Sequence, residues 1–188
     1  MKEHSDYGTE IASKWTEILN ESIVNELYPT VHPIGRETFS LYKEFPTGVF
    51  EYALDIDGAT TFIREKAIEP LKVSPAKINE AVDPGNINQD STRIKPNHKN
   101  PVMVLQSEFL TDNKPFCING NHRIFETNRS NNPEIEVFYF RELEFIHFFY
   151  DRLSQATYYL EIDFRNVMID KRELLNKKND AFAYKFIL

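Results

Sequence analysis

The residues best suited to chemistry in this sequence form one short segment, Phe116–Arg123, with the sequence FCINGNHR. Its first three residues are apolar and predict a strand, the Asn-Gly pair that follows predicts a turn, and a helix is expected to begin at Asn121. The first backbone N–H groups of a helix lack intrahelical partners and lie at the positive end of the helix dipole, so they attract phosphate or carboxylate groups. His122 and Arg123 would donate further hydrogen bonds at the same place. The segment therefore predicts an anion-binding site.

The same segment also has a purely structural interpretation. Asn-Gly pairs are common in turns, and Asn121 is a suitable N-cap for the helix. His122 and Arg123 could pair with Glu126 or Glu108 simply to hold the fold together. We favour the anion site because a glycine, a histidine and an arginine occur together there.

The elements around this segment must place it in the fold. Apolar strands are predicted at 101–105, at 115–118 and at 135–140, with a hairpin turn at 112–114 between the first two. A helix is predicted from about Asn121 to Arg129, ending before an Asn-Asn-Pro sequence. This order of elements places the junction between strand and helix at the edge of a small sheet.

The N-terminal part of the chain predicts further elements. Apolar residues at spacings of three to five predict an amphipathic helix from Ile11 to Leu27. An alternating pattern predicts a strand from Val49 to Ile56, followed by a turn at Asp57-Gly58. A short helix is compatible with 59–67, and a short strand is predicted at 71–73.

Two further regions of the chain remain, a polar segment before the hairpin and the C-terminal tail. Residues 83–101 are polar and predict a long loop, whose cationic residues Arg93, Lys95 and His98 could close over an anion at Gly120. From Glu142 onward, apolar and aromatic residues at helical spacing predict one long helix packed against the sheet.

The overall composition is that of an ordinary soluble globular protein. The 188 residues are enough for a single domain, and the elements predict an α+β fold. The net charge is −7, with 16 acidic and 10 basic residues in 1–96 but five of each in 97–141, so no broad basic face is expected and tight nucleic-acid binding is disfavoured.

Cys117 is the only cysteine, which excludes an internal disulfide and a thiolate zinc cluster. No apolar run approaches membrane-spanning length, so we expect a cytoplasmic protein that does not contact a membrane.

Residues 68–141 resemble the core of the ParB/sulfiredoxin superfamily. In that superfamily a P-I-x-V strand precedes a (D/N)-G-x-(H/R)-R turn and an I-x-V strand. The matching segments here are PVMV at 101–104, NGNHR at 119–123 and EIEV at 134–137, with LKV at 71–73 as the opening strand. The resemblance implies a small mixed sheet as a core at 68–141, flanked by an N-terminal extension at 1–67 and a C-terminal helical extension at 142–188.

The resemblance also implies a ligand. Members of the superfamily hold nucleotide phosphates at this turn, ATP in sulfiredoxins and free-serine kinases and CTP in chromosome-partitioning proteins, and Mg²⁺ would accompany such a nucleotide. Carried over to this chain, the phosphate would lie at Asn119-Gly120-Asn121, with His122 and Arg123 contacting its oxygens. The reactive cysteine of sulfiredoxins is replaced by Asn121, so sulfinic acid reduction is not expected. Cys117 lies in an apolar strand and is expected to be buried and inert.

The resulting hypothesis is a nucleotide-binding or phosphate-binding protein that could also hydrolyse or transfer phosphate. Glu108, Glu126, Asp90 and His122 are the candidates for the catalytic groups that such a step requires. Two alternatives remain open at this stage. One is a nuclease or DNA-associated protein, and the other is a non-catalytic partner-binding protein from a phage or mobile element.

Overall fold

The computed structural model describes residues 1–4, 6–25, 32–87 and 100–169. These residues form an α+β fold, as expected. The described helices are α1 (Asp6–Asn25), α2 (Ile56–Glu65), α3 (Pro75–Ile78), α4 (Asn121–Arg129) and α5 (Arg152–Met168). The described strands are β1 (Thr38–Phe45), β2 (Gly48–Asp55), β3 (Leu71–Val73), β4 (Met103–Gln106), β5 (Pro115–Asn119) and β6 (Ile135–Arg141). None of the helices in the described part of the chain has the length and apolar character needed to cross a membrane.

Contacts within the chain divide the described residues into two compact units. We call the first the sheet unit, which takes the described residues of 32–50 and 54–148. We call the second the helical unit, which takes those of 1–25, 51–53 and 149–169. The described residues of the predicted anion site, 119–123, lie within the sheet unit.

The sheet unit is built on four strands in the order β3-β6-β4-β5. β4 and β5 form the predicted antiparallel hairpin, β4 and β6 run parallel, and β3 pairs antiparallel with β6. β5 is therefore an edge strand, and the junction that follows it lies at the sheet edge, as the order of elements predicted. The predicted strand at 71–73 and the predicted helix from Asn121 to Arg129 are confirmed at both ends.

One face of this sheet carries the apolar core of the unit. Val137 on β6 is fully buried, with Ile135 and Tyr139 packed beside it at two-residue spacing. The helical turns opposite and the other strands complete the cluster with Ile78, Ala81, Val102, Val104, Cys117 and Ile124. Because Ile124 is the fourth residue of α4 and is fully buried, the start of α4 is fixed against the sheet.

A separate two-stranded sheet of β1 and β2 precedes α2. The predicted turn at Asp57-Gly58 is wrong, since these residues form the first turn of α2. Asp55 acts as the N-cap, and its side chain accepts a hydrogen bond of 2.9 Å from the Gly58 N–H. An Asp-x-Asp-Gly sequence is compatible with either a turn or a capped helix start, and the apolar residues that follow at helical spacing favour the helix.

The helical unit contains α1 and α5, which pack together. Ile11, Trp15 and Ile18 on α1 are buried, as the amphipathic pattern predicted. The Trp15 indole donates a 2.7 Å hydrogen bond to the buried carboxylate of Asp163 on α5. Residues 26–31, which include the predicted end of the first helix, lie outside the described residues.

The prediction of one long C-terminal helix is wrong for the described residues. Residues Glu142–Phe148 form a 3-10 helix, and α5 begins only at Arg152. The helical conformation is interrupted at Asp151, which has an extended backbone and is the N-cap of α5. Its side chain accepts a 2.6 Å hydrogen bond from the Ser154 N–H. α5 packs against α1, and residues 170–188 lie outside the described residues.

Candidate functional site

The junction between β5 and α4 depends on the backbone conformation of Gly120. Gly120 has a left-handed backbone (φ +98°, ψ 20°) and is the residue immediately before α4. The first intrahelical hydrogen bond of α4 runs from the Ile124 N–H to the Gly120 carbonyl, at 3.1 Å. The N–H groups of residues 121–123 therefore lie ahead of the first intrahelical hydrogen bond, as the helix-start hypothesis requires.

Gly120 also permits a close approach by its neighbours. A Cβ at this position would lie 2.9 Å from Val102 Cγ2 and 3.0 Å from Arg123 Nη2. Both distances are shorter than normal van der Waals contact between such atoms. The absence of a side chain at Gly120 is thus what lets the Arg123 guanidinium lie against the turn.

The two asparagines of the turn hold the backbone in place. Asn119 donates a 2.8 Å hydrogen bond to the Pro101 carbonyl, which ties β5 to the segment before β4. Asn121 does not act as the N-cap, because it is the first residue of α4 and Gly120 precedes it. Its Oδ1 instead accepts a 2.9 Å hydrogen bond from the Asp83 N–H, and its Nδ2 donates to the Cys117 carbonyl at 3.2 Å. A buried amide with both ends occupied has a structural role at this position.

His122 and Arg123 each have a side-chain nitrogen that the described residues leave without a hydrogen-bond partner. His122 Nδ1 and Arg123 Nη2 are buried atoms, and neither has a hydrogen-bond partner in the described part of the chain. Glu126, one of the carboxylates that the structural interpretation assigned to them, instead forms an ion pair of 2.7 Å with Arg129. The other, Glu108, donates its backbone N–H to Glu142 at 2.8 Å and lies in the turn after β4. The purely structural interpretation of His122 and Arg123 therefore loses its proposed partners.

The electrostatic environment of Arg123 includes a residue that the sequence did not indicate. Burial lowers the pKa of the Arg123 guanidinium, and the negative charge of Glu37 acts to raise it. Glu37 accepts a 2.6 Å hydrogen bond from the Asn100 side chain, which also donates to Asp57 at 3.1 Å. Glu37 is 86 positions before Arg123 in the chain, so no motif or periodicity could have connected them.

Cys117 has the character that the sequence predicted. It is fully buried in the apolar cluster of the sheet unit. Burial raises the pKa of its thiol from 9.0 to about 12, although the Asn119 backbone and the charge of Arg123 act to lower it. A thiol in this state is neutral at physiological pH and is a poor nucleophile.

A cleft of about 300 Å³ opens beside Arg123. It is lined by Arg123 and Thr127 of α4, by Ile135, Glu136 and Phe138 of β6, and by the 101–102 segment. This volume is at the lower end of the range of about 300–1000 Å³ that small-molecule sites occupy. The mixture of apolar walls with a few polar groups is also typical of such sites.

Some of the residues expected at the site cannot be placed. Arg93, Lys95 and His98, the cations of the expected lid, and Asp90, a candidate base, lie outside the described residues. Within the described ranges, no three or more histidine, cysteine or acidic side chains gather where they could hold a metal ion. The described residues therefore offer no cluster of side chains suited to an all-protein metal centre.

Comparison with known proteins gives no family assignment: no protein-family model matches the chain, and no curated protein or solved structure matches it.

Proposed function

We propose that this chain is a nucleotide-binding protein of the ParB/sulfiredoxin type, which holds the phosphates of its ligand at the start of α4. The observation that carries the proposal is the pair of buried, unpartnered atoms His122 Nδ1 and Arg123 Nη2. Both belong to the first turn of a nine-residue helix.

Such atoms are costly unless a ligand satisfies them. A buried donor left without a hydrogen bond costs about 1–3 kcal/mol, and more when it is charged. A phosphate oxygen placed beside His122 and Arg123 would accept from both side chains and would face the positive end of the α4 dipole. The left-handed Gly120 lets backbone and guanidinium come together without a Cβ between them. Anion binding is therefore the role that best accounts for these three residues.

Two further features support the superfamily resemblance. The chain order strand, hairpin, strand, helix, strand, which the resemblance requires, is the order of β4, β5, α4 and β6. β5 lies at the edge of the four-stranded sheet, where the resemblance places the strand before the turn. Asn121 occupies the position of the sulfiredoxin cysteine, and its amide is engaged in the two hydrogen bonds described above, so the proposed role is binding without thiol chemistry.

The proposed function concerns binding and includes no bond-breaking step. Glu126 is ion-paired with Arg129, and the Glu108 backbone is bonded to Glu142. Neither arrangement assigns a general base beside the proposed phosphate position. Phosphate hydrolysis or transfer by Glu108, Glu126 or His122 would be a separate property of the same site.

Isothermal titration calorimetry of the full chain with ATP and CTP, each with Mg²⁺, tests the proposal. The native protein is expected to bind at least one of them, and Arg123→Ala is expected to weaken that binding by roughly ten- to a hundredfold, as for the loss of a hydrogen bond to a charged group. Arg129→Ala is the matched control, because it removes the same charge from the same helix at a residue that pairs with Glu126. It should change the affinity less than about threefold.

Two results would overturn the proposal. One is that the native protein binds neither nucleotide. The other is that Arg123→Ala, shown to be folded by circular dichroism, binds with the affinity of the native protein.

A further inference from the structure

Asn100 joins three segments of the sheet unit that are distant in the chain. Its side-chain amide donates a 2.6 Å hydrogen bond to the Glu37 carboxylate and a 3.1 Å hydrogen bond to the Asp57 carboxylate. The Asp57 carboxylate also accepts a 2.8 Å hydrogen bond from the Glu37 N–H. Glu37 directly precedes β1, and Asp57 lies in the first turn of α2. The segment before β4 is therefore tied to the N-terminal extension, which lies outside the part of the chain that resembles the superfamily.

The two bonds made by the Asn100 amide are of a kind that fixes a segment in place. Both are charge-assisted, because an N–H group donates to a carboxylate, and such bonds are roughly twice as strong as neutral ones. Glu37, Asp57 and Asn100 are each half-buried, so water competes with these bonds less than it does at the surface. The chain is therefore held firmly at the residue that directly precedes Pro101.

The next two residues, Pro101 and Val102, form one side of the proposed anion site. The Pro101 carbonyl accepts the 2.8 Å hydrogen bond from Asn119. Val102 Cγ2 lies 2.9 Å from the point where a Cβ on Gly120 would stand, and Arg123 Nη2 lies 3.0 Å from the same point. Both residues also line the cleft beside Arg123. A shift of this segment would therefore change the space around the turn and the guanidinium.

Electrostatics connect the same two regions independently of these contacts. The negative charge of Glu37 acts to raise the pKa of the Arg123 guanidinium, against the lowering effect of burial. The residue that holds the Asn100 amide thus lies within electrostatic range of the proposed phosphate-binding arginine.

We infer that Asn100 is a positioning residue of the anion site, which holds Pro101 and Val102 as the wall against which Gly120 and Arg123 are placed. The inference rests on the proposed function, since the site that is positioned is the phosphate site at Arg123. Asn100 acts through its two neighbours in the chain and not through contact with the ligand. The N-terminal extension, through its two carboxylates, is therefore part of what makes the turn competent to bind.

Calorimetry with ATP and CTP, each with Mg²⁺, together with urea unfolding, separates positioning from stability. Asn100→Ala is expected to weaken nucleotide binding roughly tenfold, because part of the free energy of two charge-assisted bonds is lost from the binding geometry. Gln106→Ala is the matched control in the same unit. It removes an amide that bonds to the Asn113 carbonyl and the Tyr139 hydroxyl at the other end of β4. It should lower stability but change the affinity less than about twofold.

A donor–acceptor exchange tests the Asn100 bonds directly. Asn100→Asp sets a third carboxylate against Glu37 and Asp57, so binding should weaken at least as much as in Asn100→Ala. Adding Glu37→Gln exchanges donor and acceptor across the 2.6 Å bond and restores the native net charge. This double variant should bind nucleotide at least about fivefold more tightly than Asn100→Asp. Adding Glu44→Gln to Asn100→Asp instead makes the same charge change at an exposed position of β1 and should restore nothing.

The outcomes separate the inference from the proposed function. Native affinity in folded Asn100→Ala, or equal affinity of Asn100→Asp with and without Glu37→Gln, overturns the positioning role and leaves the proposed function standing. Should Asn100→Ala prove unfolded by circular dichroism, the exchange variants decide the question alone. Failure of the native protein to bind either nucleotide overturns the proposed function, and the positioning role falls with it.

Discussion

Arg123 Nη2 lies 3.0 Å from the point at which a Cβ on Gly120 would stand. Val102 Cγ2 lies 2.9 Å from the same point, so two neighbouring side chains occupy the space that a Cβ on Gly120 would need. The position of the guanidinium at the turn depends on the residue before α4 having no side chain.

Gly120→Ala should therefore affect both stability and binding. The methyl group must displace Arg123 or Val102, and the left-handed backbone disfavours alanine as well, so the free energy of unfolding should fall by about 1–3 kcal/mol. Nucleotide affinity should fall with it, because the guanidinium moves. Urea unfolding and calorimetry measure the two effects.

Gly35→Ala is the control for the cost of placing alanine in a left-handed backbone. Gly35 has a similar φ of +86°, but a Cβ there would meet no atom within 4 Å. This variant should show the smaller destabilisation and unchanged nucleotide binding. Equal losses of stability in the two variants, with binding unchanged in both, would contradict the close approach at Gly120.

Asn121 is predicted to stabilise the fold. Asn121→Ala leaves the half-buried Asp83 N–H and the buried Cys117 carbonyl without their partners, so the free energy of unfolding should fall by about 1–3 kcal/mol. Asn128→Ala is the comparison on the same helix, because its amide makes one exposed 3.3 Å hydrogen bond to Asn79. It should cost less than about 0.5 kcal/mol. A similar cost for both variants in urea unfolding would show that the Asn121 bonds do not hold the junction.

Cys117 should resist alkylation in the folded protein. Its burial and raised pKa leave almost no thiolate at pH 8. Iodoacetamide should modify the native chain at least a hundredfold more slowly than the chain unfolded in guanidinium, as measured by intact mass over time. Modification of both samples at similar rates would mean that the strand carrying Cys117 opens readily.

The same thiol predicts a dependence of stability on alkaline pH. The pKa of Cys117 is about 12 in the folded state and 9.0 in its ordinary environment, so the folded chain keeps the proton between these values and the unfolded chain loses it. Its contribution to stability is complete below pH 9 and is lost progressively as the pH rises toward 12. The slope is at most about 1.4 kcal/mol per pH unit.

Comparison with Cys117→Ala isolates this effect. Burial also raises the pKa of Tyr139 and of Tyr159, but both tyrosines remain in the variant. The free energy of unfolding of the native protein, measured in urea from pH 8 to 11, should therefore fall more steeply than that of Cys117→Ala. Parallel curves would contradict the assigned thiol pKa.

The sequence predicted the elements around the site better than those farther from it. The junction at Asn121, the helix to Arg129 and the edge position of β5 follow from a strong local pattern of an apolar strand, an Asn-Gly turn and renewed apolar spacing. β1 was not predicted, because Lys43 interrupts the alternation of Phe39, Leu41 and Phe45. In the fold, the Lys43 ammonium donates a 2.9 Å hydrogen bond to the Phe109 carbonyl, a contact that no local pattern reveals.

The contacts that define the site are of the same long-range kind. Glu37 and Asn100 are 63 positions apart, and Asp83 and Asn121 are 38 positions apart. Asn121 was expected to cap α4 from sequence preference alone. The left-handed Gly120 takes the position before the helix and leaves the asparagine amide for two tertiary hydrogen bonds. Tertiary pairing of this kind overrides local preference and cannot be read from one sequence.

A crystal structure of the protein with the nucleotide that binds most tightly in calorimetry would test the central claim most directly. We predict phosphate oxygens within about 3 Å of the Arg123 guanidinium and of the His122 ring, at the first turn of α4. A nucleotide bound elsewhere, with the start of α4 unoccupied, would contradict the claim.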